Sequence, residues 1–123
     1  VLADTSVWVE HFRKSDEALK ALAEQDSLAT HPFIMGELAC GTPPQRRQTL
    51  AYIASLHHVQ QASVPEAVEF MERERLYGKG CGLIDVLLLA STLLTPGAKL
   101  YTHDRRLQEL AMPFGVLYLP RLH

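Results

Sequence analysis

Asp85 is the one charged residue in GLIDVLLLAST, residues 82–92, a run otherwise apolar enough to be the middle of a core. Burying an unpaired charge costs so much that the group normally protonates, pairs or binds a metal instead. Three further acids occupy comparable positions. Asp4 follows VLA and Asp104 follows KLYTH, each at the end of a strand-like stretch, and Glu37 sits among apolar neighbours in FIMGELA. Taken singly, each has an ordinary explanation: Asp4 and Asp104 as caps of the following helices, Asp85 as a first-turn acid favoured by the helix dipole, Glu37 as a solvent-facing glutamate. Taken together they require several coincidences, and the shared explanation is a carboxylate cluster. Glu10, in VWVEHF, is ambiguous.

Such a cluster repels itself and holds protons unless cations neutralise it. Carboxylate oxygens are hard ligands suited to Mg²⁺ or Mn²⁺, and Mg²⁺ is typically held by few carboxylates, with retained waters and substrate phosphate. Acids disposed in this way support phosphodiester hydrolysis by activated water, with neither a His base nor a Ser nucleophile.

The elements that must position these acids alternate. VLAD reads as a short buried strand, SDEALKALAEQ as a helix with a Ser N-cap, and SLATH as a second strand. PFIMGELACG, with Pro early and Gly at its end, the amphipathic QRRQTLAYIASL, and VPEAVEFMERERLYGK read as helices. HHVQQA is a weak strand and GLIDVLLLASTLL a nearly wholly buried helix, and AKLYTHD, RRLQELA and GVLYL complete strand, helix and strand. The expected fold is α/β: a mostly parallel central sheet with helices on both faces, whose site lies beyond the carboxyl ends of the strands. Asp4 and Asp104 fall there. Neighbouring side chains on a strand face opposite ways, so His103 is expected to point away from the pocket that Asp104 enters, and His57 and His58 to point apart.

Composition sets the outer bounds. A chain of 123 residues, 47% hydrophobic and 21% charged, is expected to form one domain over residues 1–123. No apolar run approaches the roughly 20 residues that span a bilayer, and no leader-like segment opens the chain, so a cytoplasmic location without membrane association is expected. The start at VLADTS, without Met, points to a trimmed terminus. Cys40 and Cys81 have neither redox nor zinc spacing and read as reduced thiols near helix ends. The net charge of −2 does not advertise nucleic-acid binding. Its distribution matters more: Leu38 to Pro65 contains no Asp or Glu but holds Arg46, Arg47, His57 and His58. The same gap argues against a phosphoacceptor receiver domain, which would need an acid there and a Lys after Lys99.

The motifs also resemble a known family. VLADTSVWVEHF resembles the opening motif of PIN-domain ribonucleases, MGELACG their second acidic motif, GLIDVLLLAS their third, and LYTHDRRL their Thr-x-Asp motif. Their order and spacing, across essentially the whole chain, are similar to those of VapC-type toxins of toxin–antitoxin pairs. The resemblance implies a PIN-like domain in which Asp4, Glu37, Asp85 and Asp104 are the catalytic, Mg²⁺- or Mn²⁺-binding acids. Thr5, Ser6 and Thr102 become supports that orient carboxylates or water. It further implies an RNA substrate, a homodimer, and a VapB-like antitoxin whose tail enters the site. Arg105 and Arg106 are candidate phosphate contacts, and Arg46 and Arg47 either extend an RNA path or form a solvated helix surface. Tyr52 and Tyr77 are candidates for base stacking or for core. Leu107 departs from the aromatic that many relatives carry after the last motif. A catalytically inactive PIN-like scaffold ranks lower because all four acids are present.

Overall fold

The computed structural model describes residues 1–120, so the last three residues of the expected domain lie outside the described part. Four short strands, β1 (Leu2–Ala3), β2 (Ala29–Thr30), β3 (His57–His58) and β4 (Leu100–Tyr101), form a sheet in the order β3-β2-β1-β4. Every pairing is parallel, with Leu2 beside both Ala29 and Leu100. Between the strands run α1 (Thr5–Lys14), α2 (Glu17–Glu24), α3 (Pro32–Ala39), α4 (Arg46–Ala54), α5 (Val64–Glu74) and α6 (Leu83–Leu94). After β4 come α7 (Arg105–Ala111) and a 3₁₀ turn at Met112–Phe114. Crossovers between parallel strands are right-handed, so connections stepping outward from β1 to β3 and the one returning from β3 to β4 cover opposite faces. The fold is the α/β class that the strand–helix alternation predicts.

This order reverses direction between β1 and β4, which lie side by side although β1 opens the sheet and β4 closes it. Open parallel sheets place their sites in the crevice outside such a reversal. Asp4 is the residue immediately after β1, and its backbone N–H still donates to the Tyr101 carbonyl at the end of β4, 3.0 Å away. Asp104 lies three residues past Tyr101.

Several boundaries differ from the sequence reading. Residues 5–14 form a helix that the pattern of β-branched and aromatic residues did not announce, capped at its start by Asp4. Ser15, with φ of 59°, ends that helix, and Asp16 rather than Ser15 caps the next. The helix expected to reach Lys79 stops at Glu74 because Arg75 turns left-handed. GVLYL is not a full strand. It makes one parallel bridge, Leu117 to Leu100, since Gly115 at φ 71° swings the chain onto the free edge of β4 and Pro120 has no N–H to continue a ladder.

The core is dominated by α6, in which every residue from Val86 to Thr92 is buried. Its polar members are satisfied. Thr92 donates to the Leu88 carbonyl at 2.7 Å, and Ser91 Oγ accepts from the Ala62 N–H at 3.0 Å. His31, 1% exposed, caps α3 by accepting the Phe33 N–H at Nδ1, so its Nε2 carries the proton facing Ser91 Oγ at 3.2 Å. Burial, and then the nearby His58, lowers the His31 pKa and keeps the ring neutral. Ser91→Ala strands two buried polar partners at once, so it is expected to lower stability by about 1–3 kcal/mol. Urea unfolding of the two proteins measures the difference.

Candidate active site

Asp4 is 5% exposed, and three donors fix its carboxylate. The Ser6 hydroxyl donates to Oδ1 at 2.5 Å, the Val7 N–H to the same oxygen at 3.3 Å, and the Thr102 hydroxyl to Oδ2 at 2.6 Å. Each hydroxyl is itself oriented by a backbone donor: the His103 N–H reaches Ser6 Oγ at 2.9 Å and the Asp104 N–H reaches Thr102 Oγ1 at 3.0 Å. The turn after β4 is thereby stitched to the turn after β1 through one carboxylate. A carboxylate has roughly four acceptor positions, and three are filled here. One lone pair, on Oδ2, is left over.

The other acids each have one oxygen anchored and one free. Asp104 caps α7, with Oδ1 accepting the Arg106 and Leu107 N–H groups at 2.9 and 3.2 Å. Glu37, on the exposed side of α3, accepts the Thr5 hydroxyl at Oε1, 2.8 Å away. Asp85 folds back on the first turn of α6, where Oδ2 receives the Gly82 N–H at a long 3.4 Å. Among the described residues, Asp104 Oδ2, Glu37 Oε2 and Asp85 Oδ1 accept no hydrogen bond. The pKa of Asp85 is raised, first by burial and then by the negative charges of Asp104, Asp4 and Glu37, with the Gly82 N–H opposing. The four acids named from sequence therefore share one electrostatic neighbourhood.

They do not close into a cage. Among the described residues no three His, Cys, Asp or Glu side chains stand close enough to enclose a metal ion. The donor set nevertheless fits Mg²⁺ or Mn²⁺: every free donor is a carboxylate oxygen, and these ions accept one or two carboxylates while keeping waters for the remaining positions. Asp4, through its remaining lone pair, and Asp85 and Asp104, through their free oxygens, are the residues that would hold such an ion.

Other candidates fall elsewhere. Glu10 lies on the outside of α1, paired with Arg13 and Lys14 at 3.7 Å each. The Arg46 guanidinium donates to the Gly41 and Ala39 carbonyls at 3.1 and 2.6 Å and so finishes the end of α3, while Arg47 is exposed. Tyr52 and Tyr77 are exposed rather than core, and Leu107 is fully buried. Cys40 and Cys81 are free thiols at the end of α3 and just before α6.

Asp16 is the residue that sequence reasoning missed. Besides capping α2, it accepts the Tyr101 hydroxyl at 2.8 and 2.9 Å and faces His103 Nε2 at 2.8 Å. These partners help hold its carboxyl below the usual range, against the opposing effect of burial. The His103 ring thus points at Asp16, as the alternation of strand side chains predicts, while its backbone N–H supports Ser6. The sequence pattern assigns the cap to Ser15, and nothing in it announces the reach of Asp16 across 87 residues to His103.

Comparison with known proteins identifies the family. The PIN domain family profile matches residues 1–112. A protein named Ribonuclease VapC32, from two strains of Mycobacterium tuberculosis, is 39% identical over 116 residues, which is 94% of this chain and 94% of that protein. With that profile and that identity over nearly its whole length, the chain belongs to the PIN domain family, in its VapC-type branch.

Proposed function

We propose that this protein is a divalent-metal-dependent endoribonuclease, the toxin of a toxin–antitoxin pair. The observation that carries the reading is Asp4: a nearly buried carboxylate, held by two hydroxyls with one lone pair to spare, at a crevice where three more acids each keep a free oxygen. The similarity to a protein named as a ribonuclease supports RNA as substrate. Bound Mg²⁺ or Mn²⁺ would neutralise the acids and the substrate phosphate and lower the pKa of a water.

The chain's own residues do the positioning. Ser6 and Thr102 hold the Asp4 carboxylate in one orientation, Thr5 holds Glu37, and the first turns of α6 and α7 hold Asp85 and Asp104. Arg105 and Arg106, which follow Asp104, are exposed and supply cations for the RNA backbone, with Arg47 further along the surface. The His103 ring is committed to Asp16, so no histidine at the end of β4 stands ready to deprotonate a ribose hydroxyl. Water is the nucleophile, and the products carry a 5′-phosphate and a 3′-hydroxyl. As in the family it resembles, the protein works in the cytoplasm as a homodimer, and a VapB-like antitoxin silences it by placing a basic side chain against the acids. No helix among the described residues is long and apolar enough to cross a membrane.

Purified protein freed of any partner is expected to cleave single-stranded RNA with Mg²⁺ or Mn²⁺ and to stop in excess chelator. Asp4→Asn should abolish cleavage, and Ser6→Ala or Thr102→Val, which loosen Asp4 without removing it, should each slow it by about 10–100-fold. Undiminished cleavage in chelator, or by Asp4→Asn, contradicts the reading. The ends of the products test the nucleophile: cleaved RNA should ligate directly to an adaptor that requires a 5′-phosphate, and ligation only after kinase treatment rejects attack by water.

A further inference from the structure

An open cleft of about 760 Å³ lies between the end of α5, the loop into α6, and α7 with its following turn. That volume falls within the roughly 300–1,000 Å³ typical of small-molecule sites. Its apolar wall is Leu76 and Leu110, both buried, with Phe114, whose ring packs on Phe70 at 5.3 Å. Four charged side chains also line it: Lys79, Arg106, Glu74 and Glu109. All four are exposed, and none forms an ion pair among the described residues.

Arg106 is held by shape instead of by a carboxylate. Gly80 has φ of +85°, and a Cβ added there would lie 2.9 Å from Arg106 Cδ, 3.2 Å from Nε and 3.3 Å from Nη1. The arginine stem therefore lies on the glycine backbone, and its guanidinium keeps its donors for a ligand. Residues that line the cleft flank two of the acids in the chain. Arg106 follows Asp104 by two residues, Lys79 precedes Asp85 by six, and the half-buried Cys81 stands between. Burial chiefly raises the Cys81 pKa, Asp85, Asp104 and Glu109 raise it further, and Arg106 lowers it, so charges of the acidic site and of the cleft reach the same thiol.

A cleft with two unpaired cations, two unpaired carboxylates and an apolar wall suits a ligand that is anionic at one end and carries N–H donors on a flat apolar body at the other. We infer that it takes the nucleotide next to the scissile phosphate of a single-stranded RNA, with Lys79 and Arg106 on its phosphate, the base against Leu76, Leu110 and Phe114, and Glu74 and Glu109 accepting base N–H groups. This rests on the ribonuclease reading. Cytosine, adenine and guanine present amino groups to such acceptors, whereas uracil presents two carbonyl oxygens and one N–H, so uracil is the base disfavoured.

The test is cleavage of a randomised single-stranded RNA library with Mn²⁺, with sequencing of the ends. One position flanking the cut should be depleted of uracil by about fivefold or more, the lower end of the effect of one base contact. The double variant Glu74→Gln, Glu109→Gln should lose that depletion at that position alone. Arg106→Ala should raise KM, and Gly80→Ala, which displaces Arg106 without removing a charge, should raise it too. Lys20→Ala, on α2, should alter neither quantity. Even base use at every flanking position, or a uracil bias that persists in the double variant, overturns the proposal. If wild-type protein cleaves nothing, the ribonuclease reading fails on its own, and binding decides the cleft: the anisotropy of a fluorescent tetranucleotide with Asp85→Asn protein should weaken about fivefold on adding Arg106→Ala, and unchanged binding rejects the cleft.

Discussion

Two hydroxyl-to-carboxylate hydrogen bonds, from Ser6 and from Thr102 to Asp4, hold together the parts of this molecule that matter most. β1 and β4 are separated by almost the whole sequence, and their pairing alone leaves the chains beyond them free to diverge. Asp4 prevents this because it is nearly buried, where a carboxylate must find donors, and the donors within reach lie one on each strand's continuation. His103 and Asp104 then orient the hydroxyls through backbone N–H groups. The geometry of the last acid is thereby referred to that of the first, and the Tyr101–Asp16–His103 contacts anchor the same turn from its other side.

The four acids have ordinary structural duties as well as the chemical one proposed for them. Asp4 and Asp104 cap helices, Asp85 closes the first turn of α6, and Glu37 ties α3 to α1 through Thr5. In each case the structural bond uses one side of the carboxylate and leaves acceptor capacity on the other. Capping is thus compatible with ligation, and it restrains the side chain's rotamer. The cost appears at Asp85, where burial and three like charges make the ionised form less favourable.

Much of this was legible in the sequence because it depends on local periodicity and on strand ends. The α/β alternation, the acids after VLA and KLYTH, and the acid inside a leucine run all follow from neighbours within a few residues, and the motif resemblance fixed their joint meaning. What was hidden is non-local or stereochemical. Ser15 looks like the cap of α2, and nothing near Asp16 in sequence announces its own capping role or its contacts with Tyr101 and His103. Arg75 continues a helical charge pattern yet adopts a left-handed backbone, and Gly115 and Pro120 reduce an apolar run to a single bridge. Arg46 reads as a free cation but finishes the end of α3, because which carbonyls lack partners is decided only when α3 and α4 are both in place.

A carboxylate cluster maintained against its own repulsion makes a thermodynamic demand that a purely structural set of caps does not. Raising the folded-state pKa of Asp85 favours the protonated fold, so its contribution is fully present below the unfolded value of about 3.9 and is lost as pH rises through the folded value. At neutral pH the metal-free protein carries the full penalty. The decisive measurement is thermal unfolding of wild type and Asp85→Asn at pH 7.5, each without metal and with saturating Mn²⁺. Asp85→Asn should be the more stable protein without metal and should gain less from Mn²⁺ than wild type does. An Asp85→Asn protein less stable than wild type without metal, with an equal gain from Mn²⁺, would contradict a cation-dependent cluster.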